Sequence, residues 1–584
     1  MITRGTYARV LDVLAKPRAR LVVLALGVLL VLPSISSGLG SDDYVIGSQL
    51  RAETTIPGLS RGPLDLFVFA PGEPRAAHVL VEQGVYAWWA DEAVKIAFFR
   101  PLASASHALD HALFPASPRL WHAHSIAWFF LALLAASGLY RRIFQRGAPD
   151  LAAATLALLL FAMDDAHGPT VGWLAARNAL MAFTFATLSV SALDAWRREG
   201  SRRAAVAGPV LFGLALLSGE AALGATAYLL AYALFLDEGP LARRLGRLWG
   251  HGAVLAVWAV AWVGLGYGTS GTTHYLDPVH EPLAFLAQLV ARMPVLLLAQ
   301  VFLPWSDLWP VYPSVAPALP YIVWGFALVS LAIVALVVAP LVRRDPRARF
   351  FALGAVLSVV PISAGPPSDR LLLEPGLGAM ALAALVVVAF LRRGDAASAT
   401  RSSGEGAPGR GRRAVLGAST VAIAVVHVVA NLYWLPVRSR TNSFFAPVFA
   451  RANDTIPKTP DVAGRSVILM NPPFEPLALY ASFTRDAEGT PRPAHLRVLA
   501  TGASAIDVTR VDASTLRVRP ERGFLSSAAD TMQRSARRPI GRGIVAELED
   551  VVVEVTETTS DGRPAEALFH FRVPLEDASL VFLK

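Results

Sequence analysis

PRARLVVLALGVLLVLPSISSGLGSDDY (17–44) carries in one stretch the features that decide the fold: arginines, then an unbroken apolar run, then a pair of acids. The run 21–39 is close to the ~20 residues that an α-helix needs to cross the hydrocarbon core of a bilayer. Arg4, Arg9, Lys16, Arg18 and Arg20 come before it, as expected of a flank that stays in the cytosol. The run could be read as a secretory signal. No small-residue cleavage site follows and further apolar runs do, so an uncleaved signal anchor is expected.

The rest of the chain repeats this pattern. Of 584 residues 54% are hydrophobic and 17% charged, with a mean hydropathy of +0.48. A soluble domain has roughly a quarter of its residues charged, so the deficit points to lipid. Lys and Arg gather in the stretches 1–20, 141–146, 197–203, 243–247, 343–349 and 392–413, while 164–172 and 268–282 have none. That alternation places the basic loops in the cytosol. It also explains the net charge of +9 without nucleic acid.

With basic loops inside, spans fall near 21–39, 121–139, 151–163, 175–195, 204–218, 221–237, 250–267, 320–341, 350–364, 371–391 and 414–434. The expectation is an α-helical polytopic membrane protein of about 11 transmembrane helices, with a cytosolic N-terminus (1–20), a membrane domain (21–435) and a C-terminus outside. The apolar segment 283–303 is broken by Arg292 and Pro294. Counting it as a span would put Arg343, Arg344, Arg347 and Arg349 outside, so it is expected to lie in the outer interface or to re-enter from it.

Two regions lie outside the bilayer. In the outer loop 40–119, YAWWADEAVKIAFF (86–99) reads as an amphipathic interfacial helix with Trp88 and Trp89 at headgroup depth. The tail 436–584 alternates with period two over 466–471, 495–500, 506–511, 515–519, 545–556 and 567–573, which predicts a soluble, β-sandwich-like domain. The Gly-, Ser- and Ala-rich stretch 395–413 reads as a flexible cytosolic linker. The chain has no cysteine, which excludes disulfides and thiolate chemistry. Only four of its 53 basic residues are lysine, which suggests a GC-rich bacterial genome and hence a bacterial inner membrane, with the tail periplasmic.

The polar residues with chemistry fall at outer mouths of spans. Asp42 and Asp43 follow the first span and could act as a general base or hold a divalent cation; a solvated loop start is the plainer reading. Asp164, Asp165 and His167 form a second cluster, and Asp369 and Arg370 a third. Glu220 sits in a very short turn close to the apolar layer, where a carboxylate is costly and calls for a partner such as Arg177. An arginine at an outer mouth is a fork for phosphate. His107 and His111, with His122 and His124 following, lack a clear third metal ligand and are expected to make interfacial hydrogen bonds. Trp305, Trp309 and Tyr312 read as an aromatic belt.

Five collinear pieces resemble the GT-C membrane glycosyltransferases that use polyprenyl-phosphate sugars, in particular the tetratricopeptide-linked O-mannosyltransferase branch and its bacterial relatives. They are SDDYVIG (41–47), FRPLASASHALDHALF (99–114) leading into WHAHSIAWFFLALL (121–134), HGPTVGWLAARNALMAF (167–183), LLSGEAALGATAYLLAYALFLD (216–237) and SDRLLLEPGLGAMAL (368–382). The resemblance covers residues 20–435 and rests on the order of the motifs. It implies that Asp43 or Asp42 is a base activating an acceptor, with Asp43, just before Tyr44, closer to the family pattern. It implies further that Arg370 helps bind the lipid phosphate, and that Asp369, Arg100, His167, Arg177, Glu220 and Asp165 are substrate-binding. Departures are Gly219 for the family's Lys, Asp369 for Glu, Leu371 for Tyr, and Gly168 between His167 and Pro169; no tetratricopeptide repeats follow. The implied partners are a polyprenyl-phosphate-linked sugar donor, a lipid, glycan or protein acceptor, and the bilayer, with no nucleic acid. The alternative is a non-enzymatic envelope protein that keeps the scaffold as an assembly or glycan-binding partner.

Overall fold

A computed structural model describes residues 6–51, 56, 59, 62–147, 150–400, 410–473, 476–502, 504–527 and 529–584. The opening apolar run is a helix, Pro17–Val31, continued by a tighter turn, Leu32–Ser36. Pro17 starts it at the position where a missing N–H costs nothing. Among the described residues, seven helices are long and apolar enough to cross a membrane, and Leu151–Ala162, Glu220–Phe235 and Trp249–Gly264 are shorter apolar helices. The chain is an α-helical multi-pass membrane protein with a strand-rich C-terminal region.

The two ends of the bundle differ chemically. At one, arginines neutralise buried acids: Arg142 and Arg146 bind Asp194 (3.1 and 2.8 Å), Arg197 and Arg247 bind Asp237 (3.0 and 2.9 Å), and Arg392 binds Asp150 (2.8 Å). These are the basic loops that the charge pattern assigns to the cytosol. Asp42, Asp164, Glu220 and Asp369 lie at the other end.

Helix Pro282–Val301 runs unbroken through Pro294 and is among the seven long apolar helices. Arg292 donates to the carbonyls of Ser363 (3.0 Å) and Gly365 (2.8 Å), and Gln300 donates to Asp164 (2.7 Å). Eight residues of helix cover about 12 Å, yet both contacts are with loops at the acidic end. The helix therefore runs along that end rather than away from it. In the stretch read as a linker, helix Leu373–Thr400 extends past residue 395 and a new helix begins at Arg410; 401–409 lie outside the described residues.

The outer loop departs from expectation. Residues 86–99 form no helix: strand β2 (Lys95–Ala97) pairs with β1 (Val68–Pro71) and with β3 (Gly268–Ser270). Trp88 and Trp89 are buried, not at a membrane surface. Trp88 packs edge-on against Phe524 (5.3 Å) and Phe569 (5.9 Å), both in the C-terminal region. An indole has more apolar area to bury in a protein core than in an interface, and here the tail supplies that core.

The tail forms strands where alternation predicts them: β4 (Ser466–Leu469), β5 (His495–Val498), β6 (Ile506–Arg510), β7 (Thr515–Pro520), β8 (Val545–Glu547), β9 (Val551–Thr558) and β10 (Pro564–Phe571). An eighth, β11 (Leu580–Leu583), closes the chain. The order β6-β7-β10-β9-β8 is an antiparallel sheet, whereas β11-β4-β5 is parallel and carries the helices Pro476–Leu479 and Ala481–Glu488 in its β4-to-β5 crossover. Period-two alternation cannot foresee a parallel sheet, whose strands are buried on both faces. Ile468 and Val498 of one sheet share a core with Val518, Val553 and Phe569 of the other, and Trp88 fills the gap between them. Trp88→Ala is accordingly expected to destabilise the tail by about 3–5 kcal/mol. A thermal melt of the purified full-length chain would record this as a lowered first transition; an unchanged melt would contradict the packing.

Candidate active site

At the acidic end a cavity of about 220 Å³ opens between the membrane helices, the outer loop and the tail. Asp42, Arg100, Glu220 and Arg370 supply its charges, and Phe67, Phe98, Tyr86, Tyr275, Tyr480 and Phe483 much of its wall.

Asp42 begins helix Asp42–Leu50 after a turn in which Ser41 has φ 45°, a conformation that costs a non-glycine residue energy and that persists only where the surroundings enforce it. The turn separates the two acids. Asp43 turns inward and accepts from the backbone N–H of Ala175 (2.8 Å) and Gly40 (3.1 Å) and from Asn442 Nδ2 (3.3 Å). Burial pushes its pKa up to about 8 against the pull of those two N–H groups. Asp42 instead borders the cavity and accepts from the Tyr480 hydroxyl at 2.5 Å. Burial raises its pKa too, opposed by the Tyr480 hydrogen bond and by the charges of Arg370 and Arg100. The geometry thus favours Asp42 over Asp43 as the carboxylate that could meet a substrate.

Arg370 lies in the short turn Asp369–Leu371, its guanidinium 4.4 Å above the ring of Trp173. Among the described residues it has no ion pair. The turn is anchored from behind. Asp369 accepts from the N–H (2.8 Å) and hydroxyl (2.6 Å) of Ser306, and pairs with Arg438 at 2.8 Å. Arg438 also binds Asp165 (2.9 Å) and Asp307 (2.6 Å) and stacks on Trp305 at 4.7 Å. Asp369 and Asp165 are therefore supports of the site rather than cavity groups, and Trp305 is part of this knot rather than of a belt. The helix bearing Arg438 can come this close because Gly168 and Gly172 face it: a Cβ on Gly168 would lie 2.7 Å from Arg438 Cβ, and one on Gly172 would lie 2.1 Å from the Ser439 carbonyl oxygen. This accounts for the glycine between His167 and Pro169.

Glu220 does not pair with Arg177. Its carboxylate takes the Arg100 guanidinium (2.8 Å) and the Phe99 N–H (2.8 Å). Arg177 is fully buried and pairs with Asp110, with further bonds to Ser125 Oγ (2.9 Å) and the Trp121 carbonyl (2.8 Å). A guanidinium without water needs such a set of acceptors, so Arg177 is a structural residue. His167 is wedged against Phe161 and Phe129, outside the cavity; burial drives its pKa down to about 3, so it is neutral. His124 binds Asp110 (2.7 Å), and His111 stacks on Trp121 (4.3 Å). Among the described residues, the group placed to share a metal ion is Glu82, His495 and Glu549, away from this cavity.

Sequence reasoning missed Tyr480, Asp110 and Arg438. For Arg438 there was a signal: an arginine at the end of the last apolar span that the charge pattern assigns to the outside opposes the charge rule and calls for acid partners. Tyr480 had none.

No protein-family model matches the chain, and no curated protein matches it. Among solved structures it is similar to the oligosaccharyltransferase of Archaeoglobus fulgidus tethered to an acceptor peptide (12% identity, TM-score 0.38, 83% of this chain and 64% of that one). It is also similar to ArnT from Cupriavidus metallidurans (14%, TM-score 0.38, 80% and 84%) and to the arabinofuranosyltransferase AftD from Mycobacteria (14%, TM-score 0.33, 95% and 41%). The chain spans less than two thirds of the archaeal protein's length.

Proposed function

We propose that the chain is a membrane glycosyltransferase that moves a sugar from a polyprenyl-phosphate donor to an acceptor hydroxyl on the outer, periplasmic face of a bacterial inner membrane. The observation that carries this reading is the pairing, in one cavity, of a carboxylate, Asp42, and a cation, Arg370, that forms no ion pair among the described residues. Asp42 takes the acceptor's proton as its oxygen bonds to the anomeric carbon. The bond from that carbon to the phosphate oxygen breaks, and Arg370 receives the charge left on the polyprenyl phosphate. Burial raises the basicity of Asp42 toward the working pH, which suits a general base. An apolar groove of about 880 Å³, walled by helices Leu319–Arg344, Pro346–Ile362 and Leu373–Thr400 and reaching up to Val301 and Phe302, is suited to a prenyl chain. It ends a few residues before Ser306, which holds the Asp369–Arg370 turn. A divalent cation on Asp42 would need substrate oxygens to complete its shell, since Asp43 and Glu220 are already engaged.

Arg370→Ala tests the donor side. Loss of a charge-assisted contact of about 1.5–3 kcal/mol corresponds to roughly a 10–100-fold rise in KM for a polyprenyl-phosphate sugar. Unchanged donor KM in reconstituted vesicles would remove Arg370 from the phosphate site.

A further inference from the structure

We propose that Tyr480 is a positioning residue for Asp42, holding Oδ1 so that Oδ2 is presented to the acceptor, and that the tail is thereby the acceptor-side wall of the active site. The proposal rests on Asp42 being the base.

Four observations carry it. Tyr480 belongs to the C-terminal region, yet its hydroxyl lies 2.5 Å from Asp42 Oδ1. Leu479, Phe483, Met532 and Gln533 of the same region line the cavity beside it. The Tyr480 ring is buried and meets Phe449 edge-on at 5.6 Å. The helix that follows it, Ala481–Glu488, is fixed by the fully buried Arg485, which donates to Asn453 Oδ1 (3.1 Å) and to the carbonyls of Pro457 (2.7 Å) and Pro491 (2.6 Å). A phenol mounted this rigidly has its donor direction set before any substrate arrives. A base must touch the group it deprotonates, so whatever flanks the base on the tail side flanks the acceptor. The other charged or titratable groups facing Asp42 are Arg100 with its partner Glu220, Arg370, and the cavity phenols of Tyr86 and Tyr275, with Asp43 behind it on its own helix.

The hydrogen bond from Tyr480 favours the ionised carboxylate. Removing it leaves burial less opposed, and the proton is held more tightly. The test is Tyr480→Phe in the full-length chain, which keeps the ring and its packing on Phe449. The expected result is a fall in kcat of about ten-fold, the low end for one hydrogen bond to a charged group. The acidic limb of the pH–rate profile should move to higher pH, with donor KM unchanged. Infrared titration of the Asp42 carboxyl, identified by difference from Asp42→Asn, should move the same way and needs no turnover. An unmoved limb or carboxyl titration overturns the proposal, and a faster variant would mean that Tyr480 instead blocks the acceptor. If Asp42→Asn itself stays active, the base assignment has failed; if that variant is dead while Tyr480→Phe titrates as wild type, only this proposal has.

Discussion

Asp42→Asn is expected to lower transfer by about 10²–10⁴-fold, the usual loss when a general base is removed, while the protein stays folded and inserted. The amide oxygen can still accept from Tyr480, whose hydroxyl now binds Asp42 Oδ1, so the wall of the cavity is kept. What is lost is the capacity to take a proton near neutral pH. Asp43→Asn should behave differently. Asp43 takes N–H donors on both oxygens, and an amide can accept on only one. Its variant should therefore lose abundance or melt earlier, with smaller loss per folded molecule. The wild-type rate should also depend on pH in a fixed direction. Asp42 acts only when ionised, and its pKa is raised by burial, so activity should fall as pH is lowered through a value above the ordinary carboxylate range. Equal losses in both variants at normal abundance would show that the two acids act together.

Arg438→Leu is expected to cost about 3–5 kcal/mol of stability, because it leaves the buried Asp369, and the partly exposed Asp165 and Asp307, without their cation. One guanidinium serves Asp165, Asp307 and Asp369, all within 2.9 Å. The loss should grow with pH. Burial already raises the pKa of Asp369, and Arg438 opposes that rise; without Arg438 the folded-state pKa climbs further above the unfolded value. An acid with a raised folded pKa stabilises the fold relatively while protonated and loses that advantage as pH rises through the folded value. The variant should thus melt closer to wild type at pH 5 than at pH 8. A melt difference that shrinks toward high pH would contradict the assignment. Because Arg438 braces the Asp369–Arg370 turn, donor KM should rise as well.

The bundle was legible in sequence because both rules that reveal it, span length and the placement of arginine, act locally along the chain. The charged ends formed where Arg142, Arg197 and Arg247 predict them. The outer loop was not legible: YAWWADEAVKIAFF has the composition of an interfacial helix, and only the distant Phe524 and Phe569 turn its tryptophans into core. The site was half legible. The acids and arginines of the motifs do gather at one end, but partner choice depends on tertiary distance. Glu220 therefore met Arg100 rather than Arg177, and Arg177 met Asp110. His167, the polar residue of an apolar segment, went into the aromatic core instead of the cavity. Adjacent acids such as Asp42 and Asp43 cannot be told apart until the strained turn at Ser41 sends them to different sides.

The most direct measurement is the release of polyprenyl phosphate from a panel of labelled polyprenyl-phosphate sugars by the purified, vesicle-reconstituted chain, run beside its Asp42→Asn variant at equal protein. At least one donor is expected to be discharged by the wild type, and the Asn variant to discharge it at least 100-fold more slowly. Discharge at the same rate by both, or none of any donor by a folded wild type, would contradict this expectation.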